Sequence, residues 1–288
     1  PYHAVYSENR MRGIICYESH EIARNQGFID LWLRESARRG IALTLARLEE
    51  TSFGLRDNAP YLRIGGQDAH PDFAVMRMKQ PLLSRHLERM GVRVFNNAYT
   101  SEILNDKRRT HALFSHLSPM MDTAYITGDA PCPFDYPVVV KAAGGCGGRQ
   151  VRLCGDEAAY RAAIREFSFQ AVAQPLCDTP GRDLRVYMLG TACVQAMLRQ
   201  SDSADFRSNF GLHHCAQPVE IPPEARRVAC AVAEELRSAL IGVDFIYNHG
   251  RLLFNEAEDA VGTRMLYQYT KLDIVRLYMD YIVAQMGE

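Results

Sequence analysis

No apolar run in this 288-residue chain approaches the roughly 20 residues that a transmembrane helix needs, so a bilayer-spanning helix is not expected. The opening stretch, Pro1 to Arg12, is polar and lacks the apolar centre of a signal peptide. Charge of one sign is also lacking. The formal net charge of −1 gives no global attraction toward nucleic acid or an anionic membrane, and neither is expected as a partner. None of the eight cysteines forms a CxxC pair or a zinc-ligand spacing, which points to reduced thiols in a cytoplasmic protein. Internal repeats and low-complexity segments are missing as well. The apolar fraction of 47% and the charged fraction of 23% suit a well-buried globular chain of two or three subdomains.

The first hundred residues alternate between strand and helix patterns. Strands are expected at Gly13–Tyr17, Ile41–Leu45, Pro71–Met76 and Val92–Phe95, and helices at Ile22–Gly40 and Pro81–Met90, each helix ending at a glycine. Short connections between such elements imply parallel pairing. Residues 50–70 are rich in Gly, Asp, Asn and Pro and read as a loop. A single helix is expected over Ser101–Ser118, capped by Ser101 or Asn105 and ended by Pro119. Pro137–Lys141, Gln150–Leu153 and Ala171–Gln174 read as strands, and Glu157–Phe167 as a helix. Further on come a hairpin around Gly190, a helix at Ala225–Leu240, a hairpin around Asn248-His249-Gly250, and a closing helix at Leu272–Met286. The expected segmentation is 1–100, 101–175 and 176–288.

Two clusters could carry chemistry. Lys141 ends a strand and is followed by Gly144-Gly145-Cys146-Gly147-Gly148. Glycine backbone amides can approach phosphate oxygens closely, and a lysine supplies a point charge; a flexible hairpin tip would look the same. The segment is neither a P-loop, since no GK[ST] closes it, nor a Rossmann fingerprint, since the lysine precedes the glycines. The second cluster is Asp244, with Glu256 and Glu258 on the adjoining strand of an apolar hairpin. Acids in such a place are costly without a cation, and oxygen ligands suit Mg²⁺, with Mn²⁺ as the alternative ion. Cys146 has no identifiable base to make it a nucleophile.

Lys107 in Asn-Asp-Lys, Val-Val-Val-Lys141 with its glycines, Gly181-Arg-Asp183-Leu-Arg185, Asp205-Phe-Arg207-Ser-Asn209, Gly242-Val-Asp244 and Glu256-Ala-Glu258 occur in that order. The succession resembles the ATP-grasp superfamily, specifically the RimK-like carboxylate–amine (glutamate) ligases, over roughly residues 70–265. The resemblance implies an α/β (α+β) ATP-grasp fold: an N-terminal pre-ATP-grasp domain of mostly parallel strands, and nucleotide held between two α+β subdomains. It further implies that Lys107 and Lys141 touch ATP phosphates beneath a loop of Gly144, Gly145, Gly147 and Gly148. Gln174 and Leu176 would flank adenine, with Leu176 giving the amide because Pro175 has none, and Asp183 would lie by the ribose. Arg207, with Asn209 near it, would act on the transferring phosphate. Asp244, Glu256 and Glu258 would hold the metal, although the family pattern is Glu-x-Asn and this chain has Glu-x-Glu. Arg185 reads either as a substrate-carboxylate ligand or as a structural ion-pair partner, and Arg264 either as a substrate ligand or as a surface arginine.

The implied reaction is magnesium-dependent. A carboxylate takes the γ-phosphoryl group of ATP to form an acyl-phosphate, and an amine of an amino acid or peptide then displaces phosphate. The alternatives are a phosphotransferase acting on a hydroxyl and a nucleotide-binding regulatory module. Homo-oligomerisation stays open.

Overall fold

The computed structural model describes residues 10–145, 150–201 and 214–287. Its contacts divide the chain into two units, one formed by residues 1–98 together with 273–288 and the other by residues 99–272.

The first unit runs β1 (Arg12–Tyr17), α1 (Ser19–Arg38), β2 (Ala42–Arg47), β3 (Thr51–Arg56), β4 (Ala59–Ile64), β5 (Gln67–Asp68), β6 (Phe73–Met76), α2 (Pro81–Arg89) and β7 (Arg93–Phe95). The expected parallel sheet is there, in the order β2-β1-β6-β7. Gly13 pairs with Phe73, and a Cβ at Gly13 would come within 2.2 Å of the Phe73 ring, so only glycine lets that ring lie across β1. Residues 50–70 are not a loop: β3, β4 and β5 form a three-stranded antiparallel sheet. The residues that suggested a loop are its two tight turns. Asp57 and Asn58 have φ of 51° and 62°, and Gly65 and Gly66 have 57° and 78°, the left-handed pairs that two-residue hairpins require.

The second unit begins with α3 (Ala98–Leu104), α4 (Lys107–Phe114), β8 (Ala124–Ile126), β9 (Val138–Ala142), β10 (Val151–Cys154), α5 (Glu157–Glu166) and β11 (Ala171–Pro175). The single helix expected over 101–118 is two. Asp106 accepts from the Arg108 amide as the N-cap of α4, which breaks the chain just before Lys107 and sets that lysine in the first turn. Strands order as β10-β9-β11-β8, all antiparallel, with Tyr160 and Ile164 of α5 packed into the same core as Val138, Val140 and Ala173.

Next come β12 (Arg182–Leu189), β13 (Ala192–Ser201), β14 (His214–Val219), α6 (Pro223–Leu236), β15 (Leu240–Asn248), β16 (Arg251–Glu258) and α7 (Arg264–Tyr269). The five strands form an antiparallel sheet, β14-β13-β12-β15-β16. Leu184 and Val186 alternate onto the α6 side with Val243, Phe245 and Phe254, where Val228, Val232 and Leu236 of α6 bury them. The opposite face carries the charged residues.

The last helix, α8 (Ile274–Met286), belongs to the first unit rather than to the C-terminal segment. Tyr278 packs edge-on to the buried Trp32 at 5.1 Å, and Arg39, the C-cap of α1, donates to Asp280 at 2.6 Å.

Candidate nucleotide and metal site

The charged face of the five-stranded sheet is built on cross-strand rows. Arg185 of β12 lies opposite Asp244 of β15, which lies opposite Glu256 of β16. One row along, Tyr187, Gly242 and Glu258 are aligned in the same way. Directly opposed residues of an antiparallel sheet share a face, so Asp244, Glu256 and Glu258 converge. Their ligating oxygens all lie within 4.8 Å of one another.

That convergence depends on a β-bulge. Between Asp244 and Phe245 the pairing with β16 shifts by one residue, and Asn255 is the extra one. An unbroken register from the turn would set Asp244 against Asn255 and turn Glu256 to the α6 side. The bulge puts two residues, not one, between the core positions Phe254 and Ala257. A second bulge, between Tyr187 and Met188, brings Asp183 opposite Arg199.

Four cations answer four carboxylates. Arg185 donates to both oxygens of Asp244 at 2.8 and 2.7 Å and lies 2.8 Å from Glu258. Arg199 donates to Asp183 at 2.6 Å and to Asp244 at 2.9 Å. Lys107 donates to the Gly145 carbonyl at 2.7 Å and lies 3.0 Å from Glu256. Lys141 donates to the Asn255 side chain at 3.0 Å. Burial alone would raise the Asp244 carboxyl; the Arg185 and Arg199 guanidiniums outweigh it and hold the group down at about 2. Burial also works to raise Glu256, but Lys107 brings it below the ordinary range. Lys141 is shifted down by burial, with Glu256 opposing the shift. The three acids are oxygen donors grouped on one rigid hairpin, a set that fits a hard divalent cation.

The remaining residues singled out from the sequence are placed as follows. Gly144 and Gly145 follow β9, and the Gly145 carbonyl receives Lys107. Gly147, Gly148, Arg207 and Asn209 lie outside the described residues. Gln174 is buried and donates to Thr123 at 2.8 Å. The Leu176 amide, expected to face adenine, is engaged with the Pro137 carbonyl at 3.3 Å. Asp183 has its carboxylate gripped by Arg199. Of the two readings of Arg185, the geometry is that of an ion-pair partner. Arg264 opens α7 with an exposed side chain.

Sequence reasoning missed Arg199, Asn255 and His111. Arg199 could be found only by pairing the Gly190 hairpin with its bulge in place; a regular register sets Asp183 against Leu198. Asn255 was hidden by the other bulge.

Comparison with known proteins gives a consistent picture. A model of the RimK-like ATP-grasp domain matches residues 119–282, more than half of the chain. The chain is 29% identical over 212 residues to a probable alpha-L-glutamate ligase 1 of Shewanella sp. (strain MR-4), an alignment covering 69% of each. Among solved structures it resembles D-alanyl-alanine synthetase A from Vibrio cholerae, with a TM-score of 0.73 at 14% identity over 98% of this chain and 100% of the other. It also resembles the ATP-grasp ligase PsnB complexed with a precursor variant, Mg and ADP, with a TM-score of 0.69 at 18% identity over 95% and 98% of the two chains. At these identities the structural likeness shows the ATP-grasp fold.

Proposed function

Because the chain belongs to the RimK-like ATP-grasp family, whose members are ATP-dependent ligases, we propose that this charged sheet face is the centre at which ATP activates a carboxylate for joining to an amine. The observation that supports this best is the pairing of Lys107 with Glu256 inside a cluster of three acids: a phosphate-binding cation and a metal-binding anion hold each other's place. Phosphoryl transfer asks a protein mainly for positioning and charge neutralisation, and this cluster supplies both.

In this reading Lys107 would leave Glu256 for the β- and γ-phosphates, Lys141 would meet the same phosphates while still donating to Asn255, and Asp244, Glu256 and Glu258 would hold Mg²⁺. When bound, the cation would neutralise phosphate charge. A substrate carboxylate oxygen then bonds to the γ-phosphorus as the bond to the ADP oxygen breaks, giving an acyl-phosphate. The amine nitrogen attacks the acyl carbon, loses a proton, and phosphate departs. Arg207 and Asn209 steady the transferring phosphate, where an arginine fork follows the charge as it moves. Arg185 and Arg199 keep Asp244 ionised and oriented, so that the acid is ready for the cation at neutral pH. Arg185 also neutralises Glu258, the carboxylate that replaces an amide of the family pattern.

L-Glutamate is the first amino acid to try, after the names of the relatives; a peptide terminus is the first acceptor. The test measures ADP, free phosphate and product mass in mixtures of ATP–Mg²⁺, L-glutamate and candidate amines. The expected result is phosphate released in step with ADP and a product one water lighter than its two components. Phosphate retained on an acceptor instead would assign the site to a phosphotransferase.

A further inference from the structure

Bulges leave part of a strand's backbone outside the ladder, and here the bulged residue is the one beside a metal-binding acid. Asn255 has no cross-strand partner of its own in the β15–β16 register. Its carbonyl is met from outside the sheet: His111 of α4 lies with Nε2 2.7 Å from it. A carbonyl only accepts, so Nε2 carries the hydrogen and donates. The same residue's side-chain oxygen receives the Lys141 ammonium at 3.0 Å. His111 therefore holds the bulged residue by its backbone while Lys141 rests on its side chain.

His111 follows Lys107 by four residues on α4, so both side chains leave one face of the helix. Lys107 reaches Glu256, and His111 reaches the residue before it. The imidazole is buried, and its Nδ1 has no hydrogen-bond partner among the described residues. A buried histidine with one nitrogen unsatisfied is an uneconomical way to fill a core; phenylalanine would do that without cost. Its specific contribution here is the Nε2–H donor.

Taking the functional reading above as its basis, we infer that His111 is a positioning residue that fixes the Asn255 bulge and thereby sets both Glu256 and Lys141 for Mg²⁺–nucleotide binding. Without the donor the bulge loses its anchor. The register of β16 can then relax, turning Glu256 away from Asp244 and Lys141 away from its acceptor.

The test uses the full chain and calorimetric titration with Mg²⁺–ADP, beside the thermal midpoint of each protein, on wild type, His111→Phe, His111→Gln and Asn255→Leu. His111→Phe keeps the ring volume and removes the donor. Glutamine restores an N–H at the reach of Nε2. Asn255→Leu leaves the backbone carbonyl but removes the acceptor for Lys141. The expected result, measured well below every midpoint, is a Kd for Mg²⁺–ADP raised about tenfold in His111→Phe and in Asn255→Leu, the scale of one lost hydrogen bond in a charged network. His111→Gln should return to within about twofold of wild type. A purely structural histidine would lower the midpoint and leave Kd unchanged, and that outcome overturns the inference. So does a glutamine variant as impaired as the phenylalanine one. If wild type itself fails to bind Mg²⁺–ADP, the functional reading falls and this inference with it.

Discussion

Replacing Arg185 by methionine removes the cation that joins Asp244 to Glu258 while nearly preserving the side-chain volume. Arg185 is 5% exposed and donates two hydrogen bonds to Asp244, which is 1% exposed. Breaking a buried ion pair by deleting one partner costs about 3–5 kcal/mol, because the other charge is left without compensation. Asp244 keeps Arg199, whereas Glu258 loses this contact, so the lower end of the range, about 3 kcal/mol, is expected. At about 2–4 °C per kcal/mol for a chain of this size, the thermal midpoint should fall by about 6–12 °C. Mg²⁺ adds a diagnostic. In wild type the three acids already have cationic partners, so Mg²⁺ without nucleotide should raise the midpoint little. In the variant two acids lack the arginine, and Mg²⁺ should recover part of the loss. Arg185→Lys should recover less than half, since a point charge cannot grip Asp244 with a fork. The assay is thermal unfolding at pH 7 with and without millimolar Mg²⁺. A methionine variant within about 1 kcal/mol of wild type, or one blind to Mg²⁺, would refute the reasoning that these acids depend on Arg185 for their charge balance.

Other consequences can be tested separately. A Cβ on Gly242 would come within 2.7 Å of the buried Val261 side chain and 3.3 Å of Arg185 Nε, so Gly242→Ala should cost about 1–3 kcal/mol by denaturant unfolding and weaken Mg²⁺–ADP binding as well. Burial lowers His111 to about 4, against about 6.5 for an unfolded histidine. The unfolded chain thus takes up the proton first, so stability is full above pH 6.5 and declines as pH falls toward 4; about 1.5 kcal/mol of loss between pH 6.5 and 5 is expected, and it should be absent from the slope of His111→Gln. Arg207→Ala should keep ATP affinity within about tenfold while kcat falls about a hundredfold or more, and Arg207→Lys should not restore full activity; steady-state kinetics beside nucleotide titration would separate the two effects.

The parallel sheet of the first unit was legible because strand and helix periods alternate and each helix ends at a glycine: Gly40 and Gly91 have φ of 70° and 82°. The apolar hairpin carrying Asp244, Glu256 and Glu258 was legible for a similar reason, since buried acids in an alternating strand need a purpose. What was not legible depends on single residues and on long-range contacts. One inserted residue at each bulge reverses which side chains face one another, and no local propensity marks its place. Residues 50–70 carried the right turn residues, but the strands between them are too short and too polar to show a period. Asp106 looked like one more polar position within a helix until its side chain was seen to cap a new one. The place of α8 follows from the packing of Trp32 with Tyr278, a contact between opposite ends of the chain.

The most direct test of the central claim is to follow the oxygen atoms. A carboxylate substrate that supports ADP release, beginning with L-glutamate, is labelled with oxygen-18 at the carboxyl group and turned over with ATP, Mg²⁺ and an amine. An acyl-phosphate requires one carboxylate oxygen to leave with the phosphoryl group, so each molecule of released phosphate should carry one labelled oxygen, read by mass spectrometry. Unlabelled phosphate, with both labelled oxygens retained in the product, would contradict the assignment.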